Sequence, residues 1–213
     1  MNQEYKPFTP RLKIVDGYIR DLFKDELIRE LKYHDARHTL HPTKGVVASA
    51  NRIALSEKIS DHDRELLLTA AYFHDAGYIR EYAPNEPIAA RMAGRILKLI
   101  GFNPDEIEMI QKMILATDLA VKPQTHVEKI LCDADLDHFG REDFFELDGK
   151  LREGRRVRGL DVSDDEKWYK GTLAVMTNHQ YYTGSQIKMR DREKQKNIER
   201  LLEKLEDIQQ RRS

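Results

Sequence analysis

Three short segments concentrate the side chains able to do chemistry. The stretch Tyr33-His34-Asp35-Ala36-Arg37-His38-Thr39-Leu40-His41 holds three of the eight histidines. His74-Asp75 sets an imidazole beside a carboxylate at the end of an apolar run. Asp133-Ala134-Asp135-Leu136-Asp137 follows Ile130-Leu131-Cys132 and precedes Phe139, so its acids fall in apolar surroundings. Burying an unpaired carboxylate costs several kcal/mol unless a cation or hydrogen-bond donors satisfy it. The last carbonyls of a helix also favour positive charge nearby. Two imidazoles and two carboxylates from separate helices would form a mixed N/O site suited to Mn²⁺, Fe²⁺, Co²⁺ or Zn²⁺. With a five- or six-coordinate ion such a site keeps open positions, where bound water can be acidified. The bland alternative for each residue is a helix cap or a satisfied core group.

The elements that must position these residues read as helices. Leu12, Val15, Tyr18, Ile19, Leu22 and Phe23 recur three and four apart, and Leu27, Ile28 and Leu31 extend the stripe. Residues 63–75 follow Asp61, a good cap, and are apolar almost all round, which marks a central buried helix. Gly77 stands where a left-handed residue commonly closes a helix. Ile88, Ala89, Met92, Ala93, Ile96, Leu97 and Ile100 make an amphipathic helix stopping at Gly101. Asn103-Pro104-Asp105-Glu106 is a helix start, and Ser163-Asp164-Asp165-Glu166 repeats its logic. Pro42 marks another helix start directly after His41. Residues 149–162, with three glycines and five basic residues, form the least helical stretch. Ile198, Leu201, Leu202, Leu205 and Ile208 stripe a last helix. Period-two alternation is nearly absent, so the fold is expected to be all-α and multi-helix.

Composition removes several classes. The 213 residues carry 36 Lys and Arg against 37 Asp and Glu, a net charge of −1, which argues against nucleic-acid or membrane-surface binding. Hydrophobic residues at 40% supply a core. The apolar runs are too short to span a bilayer, and MNQEYKPFTP has no apolar signal segment, so a cytoplasmic location is expected. One cysteine, Cys132, excludes an internal disulfide or a cysteine-rich zinc site and reads as an inert core thiol. Glycine-rich phosphate loops, G-x-S-x-G and H-E-x-x-H are absent.

His38, His74-Asp75 and Asp135 together form an H…HD…D pattern. That pattern resembles the HD-domain superfamily of metal-dependent phosphohydrolases. Tyr33-His34-x-x-Arg37-His38 is similar to the Y-H-N-x-x-H segment of cyclic-nucleotide phosphodiesterases in that superfamily, with Asp35 where they have Asn. Ala116-Thr117-Asp118 and Ala134-Asp135-Leu136 look like their later motifs, but no glutamine-centred purine pocket is visible. From about Tyr33 to Leu205 the chain resembles more closely a bacterial group of predicted HD phosphohydrolases. Asn85-Glu86-Pro87, Trp168-Tyr169-Lys170-Gly171, Tyr181-Tyr182-Thr183 and Lys196-Asn197-Ile198 carry that likeness.

The resemblance implies one helical HD-type domain over 1–213, an HD-domain bundle with its core at about 33–140. Helices at about 163–210 would pack on that core or on a partner. It implies His38, His74, Asp75 and Asp135 as ligands of at least one divalent ion (Mn, Fe, Co, Ni, Zn or Mg), with His41 the competitor to His38. A metal-bound hydroxide would then hydrolyse a phosphoester of a nucleotide or similar small phosphate. His34 would be the general acid, on the same helical face as His38 if that segment is helical. Glu86 would lie near the reacting water, and Asp118 would support a ligand histidine or cap its loop. Arg158 and Lys150 would bind substrate phosphate, and His126 would contact substrate or replace His34 as acid. Trp168 and Tyr181-Tyr182 read as packing. A cyclic- or signalling-nucleotide phosphodiesterase and a non-catalytic nucleotide-binding or scaffold domain are the alternatives, and a homo-oligomer is compatible with either.

Overall fold

The computed structural model describes residues 9–25, 32–80 and 84–212. Among the described residues there are ten α-helices, two 3₁₀ turns and no strand. The helices are α1 (Pro10–Asp25), α2 (Ala36–Leu40), α3 (Val46–Glu57), α4 (Asp61–Phe73) and α5 (Glu86–Ile100). Then follow α6 (Pro104–Leu115), α7 (His126–Asp135), α8 (Phe144–Val157), α9 (Asp165–Asn178) and α10 (Gly184–Arg212). The 3₁₀ turns span Ala76–Ile79 and Leu136–Gly140. No described helix is long and apolar enough to cross a membrane. The stripe at Leu27, Ile28 and Leu31 lies outside the described residues.

Helix α4 is the axis of the fold. Leu66, Leu67, Leu68, Ala70, Ala71 and Phe73 are fully buried, and α1, α3, α6 and α7 pack around it. Its cap is Ser60, whose hydroxyl accepts from Asp63 N, so it begins and ends two residues before the span read from the sequence. His74 and Asp75 therefore emerge just past its last turn.

Gly77 does not close α4 in a left-handed conformation; it sits in the 3₁₀ turn, where a Cβ would come 2.0 Å from the carbonyl oxygen of Asn85. Close approach of two backbones is what requires glycine there. Gly101 is the left-handed cap, at φ 92°, that ends α5. Asn103 and Glu106 form the expected capping box of α6, an arrangement worth about 1 kcal/mol.

Three further expectations shift. Pro42 does not start a helix: residues 42–45 form a turn and α3 begins after Gly45, packed so closely on Thr39 and His41 that a Cβ would lie 2.6 Å from their backbone atoms. The stretch 149–162 is helical as far as Val157. Buried Phe144, Asp148 and Gly154 and the Glu146–Lys150 pair outweigh the glycine propensities there. The cap of α9 is Asp164 rather than Ser163, its carboxylate accepting from Lys167 N.

The C-terminal helices form a second apolar cluster of Phe139, Phe144, Met176, Tyr181 and Leu201. Helix α10 packs on Leu136–Gly140, α9 and α3. Polar contacts fix its start: buried Asp133 accepts from Tyr182 N, Thr183 N and Thr183 Oγ1 at 2.7–2.8 Å. Asn197 donates to the carbonyls of Phe139 and Arg141, both at 2.9 Å.

Candidate metal centre

Each chemical side chain arrives from the end of a helix. Asp35 caps α2 by accepting from Arg37 N at 2.8 Å and His38 N at 3.1 Å, which turns His38 inward. His34 precedes that cap, so it shares no helical face with His38; the chain bend alone brings the two rings to 5.5 Å. His74 and Asp75 leave the C-terminus of α4, and Asp135 is the last residue of α7. Both helix ends present carbonyls that favour a nearby cation.

Asp75 Oδ2 is the hub. It lies 3.1 Å from His34 Nδ1, 3.5 Å from His38 Nε2 and 3.3 Å from His74 Nε2. Asp135 Oδ1 stands 3.0 Å from His38 Nε2 and 3.5 Å from His74 Nε2. The far nitrogen of His74, Nδ1, is 2.8 Å from the carbonyl of Ala71 and donates to it, so Nε2 is the nitrogen that faces the cluster. Two overlapping groups result, His34-His38-Asp75 and His38-His74-Asp135, whose ligand atoms lie within 4.8 Å of one another.

The electrostatics follow from that crowding. Burial resists charge on both carboxyls, yet His74 and His34 hold Asp75, and His38 and His74 hold Asp135, below the usual carboxylate range. Burial likewise opposes a charged His74, but Asp75 and Asp135 prevail and keep its pKa well above the ordinary value. Two buried carboxylates thus require positive charge at one point. A proton on His74 answers part of that need, and the donor set of imidazole nitrogens and carboxylate oxygens suits a divalent cation.

The cluster separates two cavities. The larger, about 580 Å³, is bordered by His34, Asp75, Tyr78, Glu86, Asp118 and Asp135, with α8 and α9 as its far wall. Glu86 there has a raised pKa, first through burial and then through Asp118 and Asp75. Asp118 holds the following turn, accepting from Ala120 N at 2.9 Å. The smaller cavity, about 190 Å³, borders His38, Asp135, Lys44, Arg141 and Lys150.

His41 belongs to neither ligand group, although it borders the smaller cavity: its Nδ1 accepts from Thr43 N and Lys44 N. His126 starts α7, at the opposite end from Asp135, pairs with Glu57 at 3.4 Å and borders neither cavity. Arg158 caps the end of α8 and also borders neither, whereas Arg155 borders the larger. Lys150 is paired with Glu146 at 2.6 Å. Cys132 is a buried thiol donating to Ala116 O, its pKa pushed up to about 12 by burial.

Sequence reasoning gave no role to His138 or Tyr78. Buried His138 sits 2.9 Å by Nδ1 from Tyr33 Oη, and burial and then nearby His38 push its pKa down to about 3. Its position three residues after Asp135 was the available signal. Tyr78 stacks on His34 with ring centroids 4.3 Å apart and places its hydroxyl 3.3 Å from Nε2. It follows His74-Asp75 in the sequence, and only the 3₁₀ turn brings it back.

Comparison with family models matches residues 39–140 to the HD domain. Residues 39–140 are thus an HD domain. The HD match opens one residue after His38 and takes in His74, Asp75 and Asp135. HD domains bind divalent metals and are mostly phosphohydrolases, though some are non-catalytic. No curated protein and no solved structure matches the chain.

Proposed function

We propose that this HD domain is a metal-dependent hydrolase of small-molecule phosphoesters. The observation that carries the reading is the convergence of His38, His74, Asp75 and Asp135, the two carboxylates of which border a cavity large enough for an organic substrate. These four residues would hold the ion, with His38 common to both possible groups. A divalent cation bound there supplies Lewis acidity, lowering the pKa of water and stabilising charge on phosphoryl oxygens.

The chain's own residues supply the proton handling. Hydrolysis joins a water oxygen to phosphorus and breaks the bond from phosphorus to the ester oxygen, which must leave with a proton. His34 gives that proton: Asp75 fixes its Nδ1 side, and Nε2 faces Tyr78 and the larger cavity. Glu86, whose carboxylate has heightened proton affinity, takes the proton released by the attacking water. Asp118 raises that affinity and positions the loop beside it.

The experiment is turnover of a phosphoester panel by the full chain after loading with Mn²⁺, Co²⁺ or Mg²⁺, with a chelator control. Metal-dependent release of phosphate or alcohol is the expected result. Absence of turnover on every ester by protein that carries bound metal would overturn the hydrolase reading.

A further inference from the structure

The larger cavity has two chemically different ends. Its head is the carboxylate and imidazole cluster. Its far wall, formed by α8, α9 and the segment between them, presents Phe144, Leu147, Leu151, Val162, Trp168 and Val175. Asp148, Trp168 and Thr172 of this wall are engaged with one another. Asp148 accepts from Trp168 Nε1 at 2.8 Å and from Thr172 Oγ1 at 3.1 Å. Asp161 accepts from Ser163, and Asp164 caps α9. Arg155 stands over the Trp168 ring, 5.6 Å from its centroid, and is solvent-exposed like Asp161, Asp164 and Lys167, so the charges form an outer rim. Among the described residues Asn85 is the one carboxamide bordering the cavity, and it lies at the head, its Nδ2 donating to Glu86 at 3.0 Å and its buried Oδ1 without a hydrogen-bond partner.

A nucleobase and ribose bring several donors and acceptors that must find partners when buried, and each one left unmade opposes binding. Inside that charged rim the wall offers dispersion contacts and an area to remove from water, and its buried carboxylate, Asp148, is already occupied by Trp168 and Thr172. Resting on the phosphoester reading of the head, we propose that the organic part of the substrate is an apolar alkyl or aryl group lying along α8 and α9, and not a nucleoside.

Trp168 is the single tryptophan of the chain and borders the cavity, so its fluorescence reports occupancy. The experiment titrates metal-loaded full-length protein with non-hydrolysable n-alkylphosphonates from methyl to hexyl, and with adenosine monophosphate. The expected result is a Kd falling up to about fourfold for each added methylene, with hexylphosphonate binding at least about tenfold tighter than the nucleotide. Leu151→Asp should flatten the series while leaving metal content unchanged. Val175→Asp, at a position already 42% exposed, gives the same test at a more tolerant site. A Kd independent of chain length, tighter binding of the nucleotide, or a full chain-length dependence retained in Val175→Asp would overturn the inference. Turnover of the whole phosphoester panel is measured in parallel. Turnover with a flat series refutes the apolar substrate alone, and a steep series without turnover refutes the hydrolase reading alone.

Discussion

Asp75 Oδ2 faces three imidazoles at once, so the ring nitrogens around it have to be told apart by what holds their other side. His74 is locked by Ala71 O, while His34 is held between Asp75 and Tyr78. His38→Ala should abolish tight metal binding, whereas His41→Ala should keep it, because His41 only caps the turn at 42–45; metal analysis after removal of excess ion checks both. The reverse pattern would shift the ligand register by three residues. His34→Asn should retain metal and lose roughly a hundredfold in kcat on an ester of a poor leaving group. Its loss on p-nitrophenyl phosphate should be much smaller, since that leaving oxygen needs little protonation. Equal losses on both esters would make His34 a substrate-positioning group. Loss of metal would make it a ligand, through the group it forms with His38 and Asp75.

At the level of elements, helix ends place the chemistry, and the close contact of Gly77 with Asn85 brings the Asp75 and Glu86 segments together. Gly77→Ala should destabilise the fold by about 1–3 kcal/mol, because backbone rather than a flexible side chain must move. Gly17→Ala, exposed in α1 with nothing near its Cβ position, should instead stabilise by about 0.5–1 kcal/mol. Denaturant titration of both variants reads the contrast. Much of this layer was legible in the sequence: the Asn103–Glu106 box, the stop at Gly101 and the apolar α4 all follow from local rules. Helix α8 was not, because its glycines argue against a helix that burial of Phe144 and Asp148 sustains. The convergence of His38, His74, Asp75 and Asp135 could be expected only from the family pattern, since of the four only His74-Asp75 ended a helix legible in the sequence. Tyr78 and His138 could not be placed, because their contacts depend on 3₁₀ turns and long-range packing that no short spacing encodes.

Across the whole molecule, Arg11 ties α1 to the body by pairing with Glu65 of α4 and with Glu106 of α6 at 2.9 Å. Burial would raise the pKa of Glu65, but Arg11 prevails; hydrogen bonding to Arg11 is the main cause for Glu106, and both fall below the ordinary 4.5. Carboxyls with depressed folded-state pKa values stabilise the fold above the unfolded value, and that contribution disappears as pH falls through the folded values. The Tm deficit of Arg11→Met should therefore be largest near neutral pH and shrink steadily as pH drops below about 4.5; a deficit independent of pH would show that only packing was lost. The C-terminal helices complete the larger cavity, so fold and site depend on one another through α8 and α9. The most direct measurement of the central claim is metal content of the purified full-length chain, wild type against His74→Ala and Asp75→Asn, after loading with Mn²⁺ and removal of excess ion. Stoichiometric metal in the wild type and near-complete loss in both folded variants is the expected result; full occupancy in either variant, or none in the wild type, would contradict the metal centre.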